Sequence, residues 1–265
     1  MPVIQGLGWT FDTVADRYAK LRPGYVAALY QDIFAYCPLD ASSMAVEVGI
    51  GGGQATRPIL ETGCNLTAVE PGEAFSALCR EKFAAYPGFS VITGKFEAVD
   101  FQPESCDLVY SASAFHWVPE EIGYRKVFGM LKSGGAFARF ANHPWRDKGN
   151  PVLAAALDEV YAQHYHTYYR SVPKLEDEYT EAQAIRRAEI AGKYGFIDIQ
   201  HRLYRRDRVF TAAEYVQLLG TYSDHIALPD EVRWPFFRAV EDAINAHGGT
   251  IPIYDTIDLQ LARKP

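Results

Sequence analysis

The sequence has no long apolar segment and no excess of basic residues, and each absence excludes a class of protein. No apolar run approaches the length that crosses a bilayer, and the first residues lack the basic start and apolar stretch of a signal peptide. The formal net charge is −7, from 33 acidic and 26 basic residues. Because a nucleic-acid-binding surface needs a basic excess, nucleic acid is not expected as the main partner. We expect a cytoplasmic protein with no membrane partner.

Cysteine is also scarce. The four cysteines are Cys37, Cys64, Cys79 and Cys106. They form no C-x-x-C pair and have no histidine nearby at metal-ligand spacing. His164 and His166 stand two apart on a predicted helix, so they point in different directions and cannot form a metal pair. The sequence therefore predicts reduced, mostly buried thiols and no metal site.

The first half of the chain alternates short apolar strands with helices. Strands are predicted at residues 44–48, 66–70, 89–92, 107–111 and 136–140, and helices at 53–62, 73–84 and 120–131. Strands separated by helices imply right-handed βαβ units and a parallel sheet covered on both faces. With two later strands, at 196–204 and 251–261, the sequence predicts an α/β, Rossmann-like fold with a mostly parallel seven-stranded sheet.

The remaining segments are predicted to be mainly helical. Helices are expected at residues 151–170, 181–193, 211–222 and 229–246, with Thr211 as an N-cap. The simplest organisation is one domain over residues 1–265, with an N-terminal helical cap at about 10–36 and a helical insertion after strand 5 at about 141–195. A basic cluster within residues 201–208 is interpreted as a solvated strand edge. An aromatic stripe on the 151–170 helix is either a packing surface or a substrate-facing lid. Its members are Tyr161, Tyr165, Tyr168 and Tyr169.

The clearest motif is the glycine loop at residues 49–53, which joins a strand to a helix. Glycines let the backbone turn sharply and let a ligand lie against bare main chain. Two cofactor classes use such a loop. A dinucleotide fingerprint needs glycine or alanine at the sixth position. Counted from Gly49 that position is Gln54, and counted from Gly51 it is Thr56, so the dinucleotide pattern fails in both cases. What remains is acid-x-Gly-x-Gly-x-Gly beginning at Glu47, which resembles class I S-adenosylmethionine (SAM)-dependent methyltransferases.

This resemblance implies a set of cofactor-binding residues. Glu47 would attract the ammonium of SAM, and loop N–H groups would hold the carboxylate of SAM. Glu70, which ends the second strand, would accept the ribose hydroxyls, although NAD-binding proteins place an acid similarly. The loop positions assigned to the cofactor are Gly49, Gly51, Gly53 and Gln54, and Pro71 is assigned with Glu70. An exposed acid at a strand edge is the alternative interpretation of Glu47.

Further segments resemble the same family over about residues 11–140. Residues 94–97 follow the third strand where these enzymes place the adenine. The resemblance implies that Phe96 packs on the ring and offers its backbone N–H. Lys95 replaces the usual adenine-reading acid, so Glu97 or the main chain would take that role.

The family's later motifs also have counterparts here. Residues 106–117 resemble the segment beside the sulfonium, which assigns Ser111 and Ala112 to the cofactor. Leu131-Lys132-Ser133-Gly134-Gly135 is similar to the family's L-K-P-G-G turn. Residues 11–25 resemble the N-terminal cap of the methyltransferase type 11, trans-aconitate methyltransferase-like branch, which would put Tyr18 and Arg22 near the methionine end.

Methyl transfer from a sulfonium needs alignment and a dry pocket, and needs a base only when the acceptor must lose a proton. His116 is the first candidate base; its alternative role is to shape the pocket wall beside Trp117. His143 is the second. Residues 222–225 either line the acceptor pocket or cap a helix. Arginines that could hold an acidic acceptor are Arg22, Arg139, Arg146 and Arg170.

The sequence therefore predicts a SAM-dependent methyltransferase acting on a small molecule with a carboxylate or hydroxyl group. Two alternatives stay open. One is an NAD(P)-dependent oxidoreductase, because the glycine loop alone serves both cofactor classes. The other is a SAM-binding protein that has lost catalysis.

Overall fold

The computed structural model describes residues 15–146, 149–171 and 178–265. Its strands are β1 (Met44–Val48), β2 (Asn65–Glu70), β3 (Phe89–Thr93), β4 (Cys106–Ala112), β5 (Leu131–Arg146), β6 (Ile197–Thr211) and β7 (Thr250–Arg263). Its α-helices are α1 (Ala15–Leu21), α2 (Ala27–Tyr36), α3 (Thr56–Leu60), α4 (Glu73–Lys82), α5 (Glu120–Met130), α6 (Pro151–Tyr161), α7 (Thr167–Tyr169), α8 (Glu181–Glu189), α9 (Ala212–Leu219), α10 (Ser223–Ile226) and α11 (Asp230–Ala246). Short 3₁₀ segments lie at Phe96–Ala98, Phe115–Trp117 and Ile190–Tyr194, and a π-helical turn lies at Ala162–His166.

The seven strands form one sheet in the order β3-β2-β1-β4-β5-β7-β6. Strand β1 pairs in parallel with β2 on one side and β4 on the other, with Ala45 opposite Leu66 and Leu108. The pairs β2–β3 and β4–β5 are also parallel. This arrangement confirms the predicted α/β, Rossmann-like fold with a seven-stranded sheet.

Hydrophobic clusters cover both faces of the sheet, because successive side chains of a strand point to opposite faces. Ala45 belongs to a cluster that includes Ile33 of α2 and Ile59 of α3. Val46, the next residue of β1, belongs to a second cluster that includes Val127 of α5. Glu47 therefore shares the face of Ala45, a placement that decides its surroundings in the candidate site.

Strand β5 differs from its prediction at both ends. It begins at Leu131, but its register against β4 shifts, since Cys106 pairs with Leu131 and Leu108 with Ala136. The Lys132–Gly135 segment therefore bulges, and Gly134 adopts a positive φ of 78°. The turn predicted at residues 131–135 is therefore a bulge within a longer strand. The strand also continues to Arg146, beyond the predicted end at Phe140.

The described residues fall into two compact units. The sheet unit comprises residues 23–142, 179–204 and 257–265, and the helical unit comprises the described residues of 1–22, 143–178 and 205–256. The core of the helical unit includes Leu157 of α6, Leu218 of α9 and Phe236 of α11. The predicted single domain with a cap at 10–36 and an insertion at 141–195 stays a prediction. Within the described ranges, no helix is both long and apolar enough to span a membrane.

The aromatic stripe packs inside the helical unit. The ring centroids of Tyr161 and Phe236 lie 4.9 Å apart, and Tyr165 lies 5.3 Å from the ring of His225. Tyr168 is exposed. Tyr161 and Tyr165 thus form a packing surface, one of the two predicted alternatives.

The basic cluster at residues 201–208 is only partly a solvated edge. Arg205 is exposed and lies 3.0 Å from Glu178, as the sequence predicts. Arg206 Nη2 and Arg208 Nε, however, each lie 2.7 Å from the same carboxylate oxygen of Asp255, whose side chain is fully buried. The prediction was wrong for these two arginines because the buried acid on β7, far away in sequence, draws them inward.

Candidate functional site

The glycine loop leaves the carboxyl end of β1 in left-handed backbone conformations. Gly49, Gly51 and Gly53 have φ values of 75°, 50° and 71°. The N–H of Gly49 donates to the carbonyl of Val69 at the end of β2, over 2.8 Å. Other residues rarely adopt such φ values, so these positions require glycine for the turn itself.

Close neighbours add a second reason for glycine. A Cβ added to Gly49 would lie 2.4 Å from the Cβ of Ala114, and one added to Gly53 would lie 2.6 Å from the ring of Phe83. No side chain fits in either place. The loop therefore presents bare main chain, as a nucleotide-type ligand requires.

Helix α4 holds the outer side of the loop through its carbonyl groups. Lys82 Nζ donates to the carbonyl of Gly52 over 2.7 Å and to that of Gly53 over 3.3 Å. Cys79 Sγ donates to the carbonyl of Gly51 over 3.1 Å. Lys82 and Cys79 were not among the predicted site residues, because nothing in a helix 30 residues downstream marks these contacts.

Glu47 is completely buried beneath the loop. Its Oε2 accepts hydrogen bonds of 2.7 Å from the hydroxyls of Thr56 and Tyr110. Its Oε1 is buried with no partner among the described residues. Burial raises the pKa of Glu47 to about 7; the hydrogen bonds from Thr56 and Tyr110 and the nearby Lys82 oppose this shift, and Glu70 adds to it. The alternative interpretation of Glu47 as an exposed acid at a strand edge is therefore wrong.

The unpartnered oxygen of Glu47 is the observation that tests whether a cofactor fits. A buried carboxylate with an unsatisfied acceptor is costly unless a donor or a cation completes it. The ammonium of a SAM-like zwitterion has the required charge and donors. Sequence analysis found Glu47 but not Thr56 or Tyr110, whose hydroxyls fix which oxygen stays unpartnered.

Glu70 closes the other side of the loop at the end of β2. Its Oε2 accepts from the N–H of Gly51 over 2.9 Å, and its Oε1 accepts from the N–H of Gly72 over 2.9 Å. The predicted role of Glu70 toward the ribose stays a prediction. Pro71, between these contacts, is exposed, and Gln54 is half-buried.

The predicted adenine segment places its aromatic residue in the core. Phe96 is 3% exposed, and the ammonium of Lys126 lies 5.0 Å from the centre of its ring. The ring therefore has no exposed face to offer an adenine, and this part of the prediction is not supported. Any contact from Phe96 would come from its main chain. Glu97 is half-buried and Lys95 is exposed.

Three consecutive residues around the end of β4 differ in their burial and contacts. Ser111 is buried, and its hydroxyl donates to the carbonyl of Val48 over 2.7 Å, which ties β4 to β1. Ala112 is half-buried. Ser113, which sequence analysis missed, has a positive φ of 54° and shares a 2.8 Å hydrogen bond with the hydroxyl of Tyr25.

His116 is exposed on the 3₁₀ turn Phe115–Trp117, with its ring 5.0 Å from that of Trp117. An exposed imidazole at the carboxyl end of β4 can exchange protons with a ligand there. Its role as a base stays a prediction.

Arg22 and Tyr18 belong to the helical unit. The Arg22 guanidinium lies 3.9 Å from the ring centre of Tyr222 and 5.1 Å from that of Tyr18. It also donates to the side chain and the carbonyl of Thr221, both over 3.0 Å. These contacts order the guanidinium inside this unit, and its predicted role toward the cofactor stays a prediction.

Residues 222–225 do not end the predicted 211–222 helix, because α9 stops at Leu219 and α10 begins at Ser223. His225 is buried; its Nδ1 lies 3.0 Å from Asp224 and its Nε2 lies 3.2 Å from the Tyr161 hydroxyl. Burial acts to raise the pKa of Asp224, but His225 and the hydrogen bonds from His225 and Tyr165 hold it well below its ordinary value.

The other predicted basic residues of the helical unit differ in exposure. Arg146 forms a 2.7 Å ion pair with Asp158. His143 is half-buried and Arg170 is exposed.

Comparison with known proteins gives one family for the segment that contains the glycine loop. A family model described as a methyltransferase domain matches residues 46–138. An uncharacterized methyltransferase of Geobacillus sp. (strain WCH70) is 28% identical over 165 residues, which cover 59% of this chain and 75% of that protein.

Two solved structures share the fold. One, from Anaeromyxobacter dehalogenans and assigned as a type II methyltransferase, has a TM-score of 0.62 and 20% identity, covering 91% of this chain and 97% of the other. The other is phosphoethanolamine N-methyltransferase 2 of Haemonchus contortus, with a TM-score of 0.56 and 14% identity, covering 100% of this chain and 61% of the other.

Proposed function

We propose that this chain, a class I SAM-dependent methyltransferase, transfers the methyl group of SAM to a small-molecule acceptor that carries a carboxylate or a hydroxyl group. The family and its methyl donor are the established part. The acceptor and the residue roles are the proposed part. The proposed residue roles rest mainly on one observation. The carboxylate of Glu47 is buried beneath the glycine loop, and its Oε1 has no hydrogen-bond partner among the described residues.

The cofactor would be held by the main chain of the loop and by two acids. Glu47 Oε1 would accept from the ammonium. Loop N–H groups other than those of Gly49, Gly51 and Gly53, which donate within the protein, would meet the carboxylate. Glu70 would accept from the ribose hydroxyls. Smaller contributions are proposed from Tyr18, Arg22, Gly49, Gln54, Pro71, Glu97, Ser111 and Ala112.

When bound, SAM supplies a methyl group already activated by the sulfonium. The protein then contributes alignment, exclusion of water and, for some acceptors, a base. A carboxylate acceptor is ionised at neutral pH and needs no base, whereas a hydroxyl acceptor must lose a proton. His116 is the proposed base for a hydroxyl acceptor, because it is exposed directly after β4.

The small-molecule class of the acceptor has support from the fold neighbour in Haemonchus contortus. That protein was crystallised with phosphomonomethylethanolamine and S-adenosylhomocysteine. Only the class is carried over, because the two chains are 14% identical. An NAD(P)-dependent oxidoreductase is disfavoured by the methyltransferase domain match across the glycine loop.

A metabolite screen tests this proposal. The protein would be incubated with SAM carrying an isotopically labelled methyl group and a whole-cell extract that keeps its small molecules, proteins and nucleic acids, with Gly49→Ala as the matched control. We expect a labelled small-molecule product and S-adenosylhomocysteine from the wild-type protein only. Label that appears only in protein or nucleic acid would refute the small-molecule acceptor. Tight SAM binding without any product would favour a protein that binds SAM but does not catalyse transfer.

A further inference from the structure

One residue after β4 ends, Ser113 has a backbone conformation that serine rarely adopts. Its φ of 54° lies in the left-handed region that favours glycine. The N–H of Ser113 donates to the carbonyl of Phe140 over 2.8 Å, which holds the residue beside β5. A non-glycine residue pays strain for this conformation, and such residues cluster at functional sites. Because glycine would adopt this φ without strain, the serine hydroxyl is the feature that needs a function.

Ser113 lies at the edge of the sheet where the glycine loop also emerges. Strand β1 pairs in parallel with β2 on one side and β4 on the other, so the sheet grows in opposite directions from this point. The carboxyl ends of such strands are the usual ligand sites of open α/β sheets. A Cβ added to Gly49 would lie 2.4 Å from the Cβ of Ala114, the neighbour of Ser113, and one added to Gly24 would lie 3.3 Å from the carbonyl oxygen of Gln54. The residue after β4 and the segment before α2 therefore both border the proposed cofactor loop.

The segment before α2 brings a second hydroxyl to Ser113. The hydroxyl oxygens of Tyr25 and Ser113 lie 2.8 Å apart, and the main-chain N–H of Asn142 donates to Ser113 Oγ over 3.3 Å. The ring of Tyr25 packs edge-on against that of Phe140, with the centroids 4.7 Å apart. Tyr25 and Ser113 are each half-buried. The hydroxyl pair, Tyr25 and Ser113, is therefore held in place by its surroundings while it stays accessible to a ligand.

The partners of Ser113 indicate which ligand it can take. Among the described residues they are a phenol and two main-chain groups, all uncharged. A hydroxyl both donates and accepts, so a pair of hydroxyls matches the hydroxyl of a ligand. A carboxylate only accepts, and a guanidinium fork holds it best. Arg139 of β5, one of the arginines considered for that role, instead donates to the hydroxyl of Tyr124 over 3.0 Å.

We propose that Ser113 and Tyr25 bind the hydroxyl group of the methyl acceptor at the carboxyl end of β4. This inference rests on the proposed function and narrows its acceptor from carboxylate or hydroxyl compounds to hydroxyl compounds. The pair orients the acceptor oxygen for transfer. That oxygen forms a bond to the methyl carbon, and the carbon–sulfur bond breaks with its electron pair left on sulfur. The hydroxyl proton passes to the base, which is His116 in the proposed function, and the product is a methyl ether.

Matched variants test the hydroxyl pair. Wild-type protein, Ser113→Gly, Tyr25→Phe and Glu104→Gly would be incubated with labelled SAM and the whole-cell extract, and the affinity for S-adenosylhomocysteine would be measured by calorimetry. Glu104 is the matched control, because it precedes β4, is exposed and has a similar φ of 52°. We expect product formation at least tenfold slower in Ser113→Gly and Tyr25→Phe and unchanged in Glu104→Gly, with equal S-adenosylhomocysteine affinity in all four proteins. The loss should shrink in more concentrated extract, because mass action overcomes weaker acceptor binding.

Carbon NMR of the labelled methyl group identifies the bond that forms. We expect a methyl ether, and a methyl ester or an N-methyl group would overturn the hydroxyl acceptor. Equal product formation by wild-type protein and Ser113→Gly would overturn the binding role of the pair alone. Loss of product together with S-adenosylhomocysteine affinity would also overturn it, since the pair would then support the loop.

Two further outcomes separate this inference from the function on which it rests. If the wild-type protein forms no product, the proposed function fails and the role of the pair fails with it. If Ser113→Gly does not fold by circular dichroism, Tyr25→Phe decides, because it removes a hydroxyl and keeps the ring that packs against Phe140. Undiminished product formation in Tyr25→Phe would then overturn the role of the pair.

Discussion

Replacing Gly49 by alanine tests the geometry of the loop more sharply than any other single substitution. The new Cβ would lie 2.4 Å from the Cβ of Ala114, against an ordinary carbon–carbon contact of about 3.5–4.0 Å. Gly49 also has a φ of 75°, which alanine adopts only with strain. Gly134 has the similar φ of 78° and no heavy atom within 4 Å of its added Cβ. The two glycines therefore share the backbone strain and differ in the contact.

The expected free energies follow from these two causes. The left-handed conformation costs an alanine about 1–2 kcal/mol at either position. Overpacking against Ala114 adds about 1–3 kcal/mol at Gly49 alone. Gly49→Ala should therefore lose about 2–5 kcal/mol of unfolding free energy, and Gly134→Ala about 1–2 kcal/mol. For a chain of this size each kcal/mol lowers Tm by about 2–4 °C.

Urea denaturation of both variants measures the difference directly. Subtracting the Gly134→Ala value from the Gly49→Ala value isolates the contact with Ala114, and S-adenosylhomocysteine affinity should fall only in Gly49→Ala. Equal destabilisation of the two variants, with cofactor affinity retained in both, would refute the assignment of Gly49 as a position closed to any side chain.

Three further predictions concern the groups around the loop. Because burial raises the pKa of Glu47 to about 7, the folded protein holds this proton more tightly than the unfolded chain. The free energy of unfolding should therefore fall as pH rises from the ordinary carboxyl range to about 7, by roughly 3 kcal/mol relative to Glu47→Gln. Urea denaturation at several pH values measures this difference. If the free energies of the two proteins changed in parallel with pH, the prediction would be contradicted. Ionisation also prepares Glu47 for an ammonium, so S-adenosylhomocysteine should bind more tightly from pH 6 to pH 8 in wild-type protein but not in Glu47→Gln. Lys82→Met should weaken cofactor binding at least fivefold, because the carbonyls of Gly52 and Gly53 lose their donor. Lys82→Arg should restore part of this affinity. Unchanged calorimetric affinity in Lys82→Met would show that the loop keeps its shape without the lysine.

The parts of the fold that follow local patterns could be predicted from the sequence. Strand β1 has the predicted limits, Met44–Val48, and Thr211 is the N-cap of α9, where its hydroxyl accepts from the N–H of Glu214. Both depend on residues that are near neighbours along the chain. Strands β5, β6 and β7 are longer than predicted, because strand ends are set by pairing with distant strands rather than by local apolar pattern.

The candidate site shows the same division. Glu47 and the glycines were found because they form one short motif. Thr56, Tyr110 and Lys82 were not, because their contacts with Glu47 or the loop depend on how α3, β4 and α4 pack. Phe96 was assigned by resemblance to a ring contact, but its side chain packs into the core beside Lys126. A short sequence motif predicts which residues form the cofactor loop, whereas the orientation of each side chain depends on tertiary packing.

In the proposed cofactor site, the loop from Gly49 to Gly53, above Glu47, binds SAM. Calorimetric titration of the wild-type protein with SAM and S-adenosylhomocysteine tests it most directly. We expect one site per chain for each ligand, and weaker binding in Glu47→Ala. No heat of binding at high micromolar concentrations, or binding of NAD(P)H that survives Glu47→Ala, would contradict it.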